Sequence, residues 1–278
     1  MDIAESDLTY VLEKWQHLYQ RQGQYPGGHH YWSDYFRTIT ATYDRLGQAI
    51  ADPDLAGGLY SGHAWQLAAS SGVEHLFGAL VQEIQRQIAA IEAAQKQLKA
   101  LRAYTARPGV PVVYDTNMLN HWRQPEDIDW KELLRAEKLN GPARLVVPLV
   151  VIDELDRQKY GNGALATKAT TAIRYLERKL AGAPAGEAVG LRPGVTLEVR
   201  LDPPGHRLGE ADVEILLCAA ELNQLLPSAG TRVLTDDTGM RLRAQSMGLT
   251  PLRLPAQYRK GGTAVAEVAA TEATTATA

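Results

Sequence analysis

The sequence predicts a layered α/β domain with a parallel sheet, preceded by an all-helical region. Two observations support this prediction. The first hundred residues repeat apolar side chains at helical spacing, whereas the chain from Val110 onward alternates short apolar runs with amphipathic helical segments. The links between those later segments are short, as they are in α/β folds.

Helical periodicity predicts three amino-terminal helices, over Asp2–Gln22, Trp32–Ile50 and Val73–Tyr104. In the last of them, apolar residues also recur seven apart, which leaves two interpretations open. The favoured one is an amphipathic helix packed on the other two, because this row of apolar residues, which we call the seam, extends over only about four heptads. The alternative is a coiled coil that forms a homo-oligomer or binds a partner.

Arg107-Pro108-Gly109 is the predicted boundary between the two parts, because Pro and Gly interrupt regular structure. We therefore expect a helical region over 1–106 and an α/β domain over 110–258. The tail, 261–278, is mostly Ala and Thr and is predicted to be disordered because it lacks the side chains that build a core.

Within the α/β domain, uniformly apolar runs predict buried parallel strands, and the alternating run after Gly194 predicts a half-buried one. Gly182–Gly194 is rich in Gly, Pro and Ala and is predicted to be a mobile loop. The predicted strands are Val110–Tyr114, Arg144–Val147, Val195–Asp202, Thr231–Leu234 and Leu249–Leu254. The predicted helices are Asp129–Leu139, Pro148–Lys159, Ala166–Leu180, Ala211–Leu226 and Thr238–Met247.

Composition and charge exclude several classes of protein. The net charge of −3 gives no global attraction for nucleic acid or membrane, so a polyanion needs a local basic patch or bound cations. The single cysteine, Cys218, excludes an internal disulfide and a thiolate metal cluster. No apolar stretch is long enough to span a bilayer, and the acidic start, Met1–Glu5, does not resemble a signal peptide. We expect a cytoplasmic protein without a membrane partner.

Carboxylates follow several of the predicted strands, either directly or on the next helix: Asp115, Glu154, Asp212 and the pair Asp236-Asp237. In open α/β sheets the carboxyl ends of the strands form the ligand crevice, so these side chains are expected to converge. At about 5 Å each like-charged pair costs on the order of 3 kcal/mol, which protons or a metal must offset. Oxygen ligands suit Mg²⁺ or Mn²⁺, and the neighbouring Thr116, Asn117 and Thr235 are expected to orient ligands or water.

The stretch from Val110 to Leu254 resembles the PIN domain, a family of metal-dependent ribonucleases. The motifs that carry the resemblance are Val113–Asn117, Val147-Pro148 through Glu154-Leu155-Asp156, Ala211–Leu216 and Leu234–Asp237. The resemblance implies a parallel sheet with helices on both faces and an acidic pocket for Mg²⁺ or Mn²⁺. It does not account for the region before Arg107.

By the same resemblance, Asp115, Glu154, Asp212 and Asp237 are the implied catalytic and metal-binding residues. Asp237 is chosen because the last family motif is Thr-x-Asp, and Asp236 is the alternative. The implied activity is endonucleolytic hydrolysis of RNA that leaves a 3′ hydroxyl and a 5′ phosphate. The alternative is a catalytically inactive PIN-like module that binds RNA or assembles with proteins.

Some side chains near these motifs are weaker candidates for RNA contacts. Arg157, Arg174 and Arg241 suit phosphate binding, although a solvated helix face is the favoured interpretation for any single one of them. Trp122 and Trp130 are candidates for base stacking or for core packing. A dinucleotide-binding enzyme is disfavoured, because no Gly-x-Gly-x-x-Gly follows the first predicted strand.

Overall fold

The computed structural model describes residues 2–24, 29–49, 77–202, 206 and 209–261. The chain divides into two compact units, Met1–Ala106 and Arg107–Ala278. The predicted break between the second and third helices and the predicted disordered tail after Gly261 lie outside the described residues. Each unit is described by itself below.

The first unit is helical, with α1 (Asp2–Gln20), α2 (His29–Ala49) and α3 (Phe77–Thr105). Helix α1 packs against both α2 and α3. At the centre Trp15 is fully buried, and its indole N–H donates to the Thr42 hydroxyl at 2.9 Å. The seam of α3 contributes Leu80, Ile84 and Ile91 to the same core. This packing agrees with the favoured interpretation of the seam, and the homo-oligomer stays a prediction.

The second unit is built on a six-stranded, mostly parallel sheet with the strand order β3-β4-β2-β1-β5-β6, in which only the edge strand β3 is antiparallel. The strands are β1 (Val110–Tyr114), β2 (Ala143–Pro148), β3 (Val189–Arg192), β4 (Val195–Arg200), β5 (Arg232–Leu234) and β6 (Thr250–Leu252). Every residue of β1 and β2 is buried. Because successive side chains point to opposite faces, both faces of the sheet are covered at its centre.

Helices connect the strands and cover the faces of the sheet. They are α4 (Thr116–His121), α5 (Trp130–Ala136), α6 (Leu149–Lys159), α7 (Ala164–Leu180), α8 (Ala211–Leu225) and α9 (Thr238–Ser246). Pro148, predicted to lie in the first turn of α6, is instead the N-cap of this helix and the last residue of β2. None of the helices in the described part of the chain is long and apolar enough to cross a membrane.

Two elements differ from the sequence-based expectation. Gly182–Gly194, predicted to be a mobile loop, contains strand β3, which pairs antiparallel with β4. Pro193-Gly194 makes the tight connection, and Gly194 has a φ of +76°, which glycine adopts without strain. Helix α4 was not predicted either, because its six residues are too few to show helical periodicity.

A buried ion pair joins neighbouring strands of the sheet. Arg144 on β2 donates through Nε to Glu198 on β4 at 2.9 Å, and both side chains are 1% exposed. Arg107 also donates to Glu198, at 2.8 Å. Removing one partner of such a pair leaves a buried charge uncompensated, so Arg144 and Glu198 depend on each other in the folded chain.

Candidate active site

Asp115 lies directly after β1, at the carboxyl edge of the sheet, and is the N-cap of α4. Its Oδ1 accepts the backbone N–H of Asn117 at 3.2 Å, which is ordinary capping. Its Oδ2 accepts the hydroxyl of Thr235, which follows β5, at 2.7 Å. The side chain is almost fully buried, so these contacts fix its position between two adjacent strand ends.

The electrostatics of Asp115 connect it to the other predicted acids. The pKa of Asp115 is raised from 3.8 to about 6, and burial is the largest cause. The hydrogen bonds from Thr235 and Asn117 lower it, and the charges of Asp212 and Glu154 add to the rise. Asp115 is therefore close enough to Asp212 and Glu154 to sense their charges, as expected for acids at one sheet edge.

Helix α6 directs Glu154 toward this centre. Glu154 Oε2 accepts the hydroxyl of Thr116 at 2.5 Å, and Oε1 accepts the amide of Gln158 at 3.3 Å. Asp156, on the same helix, instead forms an ion pair with Lys159 at 2.5 Å. The structure thus separates the roles of Glu154 and Asp156, which the sequence distinguished only through the family resemblance.

A buried amide extends the hydrogen bonds around Glu154. Asn120 on α4 is fully buried and donates through Nδ2 to Gln158 Oε1 at 2.8 Å. Gln158 in turn donates to Glu154, so α4 and α6 are joined on the side of the acids. Sequence reasoning missed both amides. The one available signal is their helical position, since Gln158 lies one turn after Glu154.

Asp212 lies in the first turn of α8 and forms an ion pair with Arg243 at 2.9 Å, with about half of each side chain exposed. Glu214, in the same turn of α8, already has hydrogen-bond partners. It accepts hydrogen bonds from the Gly209 N–H and from His206, and these lower its pKa although burial raises it. Asp212 is therefore the acid of this turn that interacts with Asp115.

The last pair of acids stands apart from the first three. Asp237 is exposed and caps α9 by accepting the Met240 N–H at 2.7 Å. Asp236 accepts Arg253 at 2.9 Å. Neither contributes to the raised pKa of Asp115. Asp237 is nevertheless linked to Asp115 through Thr235, whose hydroxyl accepts the Asp237 N–H at 3.1 Å and donates to Asp115.

The residues present fit a hard divalent cation by their chemistry. Among the described residues, no group of three or more His, Cys, Asp or Glu side chains is already gathered around a single ion position. The donors near Asp115 are nonetheless oxygens, and the charges of Asp212 and Glu154 contribute to the raised pKa of Asp115. Oxygen donors of this kind suit Mg²⁺ or Mn²⁺, which retain several waters and need few protein ligands.

The structure assigns different surroundings to the predicted RNA-contacting residues. Arg241 binds the Asp236 carbonyl and the Thr238 hydroxyl, whereas Arg174 is exposed on α7. Arg157 is exposed and donates to the Asp153 carbonyl. Trp130 is fully buried, donates to the Pro125 carbonyl and packs on the Tyr114 ring, and Trp122 is 5% exposed. Both tryptophans are core residues, so the base-stacking alternative is wrong for them.

A separate cavity of about 660 Å³ lies at the opposite edge of the sheet, beside the amino ends of β2 and β4. Its lining includes Lys131, Arg135 and Arg192. Ligands of open α/β sheets bind at the carboxyl edge, so this cavity is not part of the acidic centre.

The fold and the acidic centre together define an α/β protein with its candidate site at the carboxyl ends of the central parallel strands. A family model described as the PIN domain matches residues 112–253, a range that includes all of the acids described above. The chain belongs to the PIN domain family, whose members are generally nuclease-like.

Comparison with solved structures gives a similar chain, a domain of a functionally unknown protein from Methanocaldococcus jannaschii DSM 2661. It is 22% identical, covers 53% of this chain and 93% of its own, and has a TM-score of 0.34. Comparison with curated proteins found no match.

Proposed function

We propose that this chain is a Mg²⁺- or Mn²⁺-dependent endoribonuclease that hydrolyses RNA phosphodiester bonds and leaves a 3′ hydroxyl and a 5′ phosphate. The observation that carries the proposal is the buried Asp115, with its pKa raised to about 6 and its charge coupled to Asp212 and Glu154, at the carboxyl edge of a PIN-domain sheet. A carboxylate whose pKa is raised by burial and by nearby charges is typical of a functional site.

In this proposal the metal is held by Asp115, Glu154, Asp212 and Asp237, with Asp236 as the alternative to Asp237. When bound, the ion supplies a positive charge that offsets the phosphate and lowers the pKa of a water molecule. The chain's own residues set the geometry. Thr235 and the Asn117 N–H hold Asp115, and Thr116 with Gln158 holds Glu154. Such fixed donors orient the carboxylates before substrate binds.

The substrate side of the proposal is RNA, bound mainly through its phosphates. Because the net charge of the chain is −3, local basic side chains or bound cations must hold these phosphates. Arg157 and Arg174 are exposed and suit this role. Arg241 suits it less, because its guanidinium already binds Asp236 and Thr238. Phosphate contacts of this kind position the strand and carry no sequence preference.

The test is cleavage of a fluorescently labelled single-stranded RNA by the purified full chain with Mn²⁺, Mg²⁺ or EDTA. We expect metal-dependent cleavage that Asp115→Asn reduces at least about 100-fold, because removing a metal-binding carboxylate removes the charge that holds the ion. Asp156→Asn is the matched control, since this neighbouring acid pairs with Lys159. Equal rates for wild type and Asp115→Asn would end the enzyme proposal.

A second candidate function is an inactive RNA-binding or assembly module. The observation that favours it is the pairing of Asp212 with Arg243 and of Asp236 with Arg253, which offsets acids that a metal would otherwise neutralise. Isothermal titration with Mn²⁺ separates the candidates. The nuclease requires a site that Asp115→Asn removes, and the inactive module shows no carboxylate-dependent binding.

A further inference from the structure

A group of three cationic side chains and one histidine lies near the carboxyl end of α4, and we call it the basic cluster. It consists of His121, Lys168, Arg259 and Lys260. Lys168 Nζ lies 3.2 Å from His121 Nδ1. Lys260 Nζ donates to the carbonyls of Leu119 and Asn120 at 2.8 and 3.3 Å, which are acceptors at the end of the helix.

The charges of the basic cluster are not balanced by acids. In the part of the chain that the structure describes, Lys168, Arg259 and Lys260 form no ion pair, whereas Lys159, Lys179 and Arg243 of the same unit each do. Burial and the charge of Lys168 lower the pKa of Lys260. Burial and the three cations likewise lower the pKa of His121. Cations held this closely repel one another until an anion binds between them.

Helix α4 connects the basic cluster to the acidic centre. Asp115 caps the amino end of this helix and Lys260 binds its last carbonyls. Six helical residues span about 9 Å, so the two groups lie roughly that far apart along the helix. Asn120 also joins them, because its side chain bonds Gln158 next to Glu154 while its carbonyl accepts Lys260. With this separation, one RNA strand can contact the acidic centre and the basic cluster at the same time.

We propose that the basic cluster is a phosphate-binding subsite that holds a backbone phosphate of single-stranded RNA next to the bond positioned at the acids. This inference rests on the proposed nuclease function and identifies where the RNA strand is bound. Lysines bind phosphate as point charges, and neutral His121 offers Nε2 as a further polar group. The subsite reads the backbone and not the base, since phosphate contacts carry no sequence information.

The experiment measures RNA affinity without cleavage. A fluorescein-labelled oligouridylate is titrated with the full chain in EDTA, and anisotropy is recorded at several salt concentrations. We expect Lys168→Gln with Lys260→Gln to weaken binding about tenfold and to reduce the slope of log K against log salt by about 1.4, which is two lost contacts with a single strand. A second double variant, Lys168→Gln with Arg259→Gln, leaves the Lys260 contacts to α4 intact. We expect it to lose as much RNA affinity and as much of the salt slope as the first variant.

The matched control is Lys131→Gln with Arg135→Gln, which removes the same charge beside the cavity at the opposite sheet edge. It should change affinity less than twofold. The proposal is overturned if the Lys168–Arg259 variant, folded by circular dichroism, binds like wild type, or if the control loses as much affinity as the cluster variants.

The two proposals fail in different ways. If the cluster variants bind RNA like wild type and wild type cleaves RNA with Mn²⁺, the phosphate-binding subsite is rejected and the nuclease proposal stands. If the cluster variants bind RNA more weakly than wild type but wild type cleaves no RNA with Mn²⁺, the phosphate-binding site stands and the nuclease proposal is rejected. Inorganic phosphate added as a competitor should displace the oligonucleotide from wild type more readily than from the cluster variants.

Discussion

Asp115 is both the N-cap of α4 and a buried carboxylate that senses the charges of other acids. The Asp-Thr-Asn stretch is typical of a helix cap, and Asp115 does cap α4 through Oδ1. The same carboxylate is buried and coupled to Asp212 and Glu154, which capping alone does not require. In the proposed nuclease, the cap would also orient this carboxylate as a ligand before any metal binds.

The raised pKa of Asp115 predicts how the metal-free protein responds to pH. A folded-state pKa of about 6 against an ordinary 3.8 means that the folded chain binds the proton more tightly. The free energy of unfolding in EDTA should therefore fall as pH rises from about 4 to about 6.5, by up to about 3 kcal/mol, and then level off. Urea denaturation across this range measures it.

Asp115→Asn removes this titration and keeps the buried geometry. We expect the variant in EDTA to be more stable than wild type at pH 7 and to lose the slope below pH 6.5. Asp156→Asn, which changes an acid paired with Lys159, should keep the wild-type slope. A wild-type slope in the Asp115 variant would contradict the assignment of the pH dependence to this carboxyl group.

Most elements of the α/β unit were predicted from the sequence, and the exceptions are β3 and α4. The uniformly apolar runs of β1 and β2 and the amphipathic α6 and α7 lie within a few residues of their predicted ranges. Strand β3 contains Gly190 and has no fully buried residue, so no apolar run marks it, and it depends on pairing with β4. Its formation is decided by tertiary contacts, which a local pattern does not contain.

The start of β1 depends on a glycine. Gly109 has a φ of +124°, and a Cβ there would lie 2.8 Å from the backbone carbonyl oxygen of Pro142. Gly109→Ala should therefore destabilise the protein by about 3 kcal/mol or more, because it adds a clash with a backbone atom to the strain of about 1–3 kcal/mol.

Gly141→Ala is the matched control for this substitution. Its φ is +133°, but nothing lies within 4 Å of the added Cβ, so it carries the strain alone. Chemical denaturation of both variants measures the difference. Equal losses of stability would show that the approach of Pro142 to β1 contributes nothing beyond the strained backbone.

For the whole molecule, the sequence predicted the class of each part but not the arrangement of the site. The α/β pattern and the ordered motifs led to the fold and the family, and both are confirmed. The hydrogen bonds of Asn120 and Gln158 and the basic cluster were missed. They join residues far apart in the chain, and an amide or lysine on a helix carries no local signal of its distant partner.

The two compact units predict separate unfolding transitions. Trp15 is fully buried in the helical unit, so Trp15→Ala should cost about 3–5 kcal/mol there. Mn²⁺ at about a hundred times its dissociation constant should add about 2.7 kcal/mol to the unit that contains Asp115. In calorimetry, Trp15→Ala should lower one transition and Mn²⁺ should raise the other, with the Mn²⁺ effect absent in Asp115→Asn. A single transition moved by both changes would contradict this, because each core would then depend on the other for its stability.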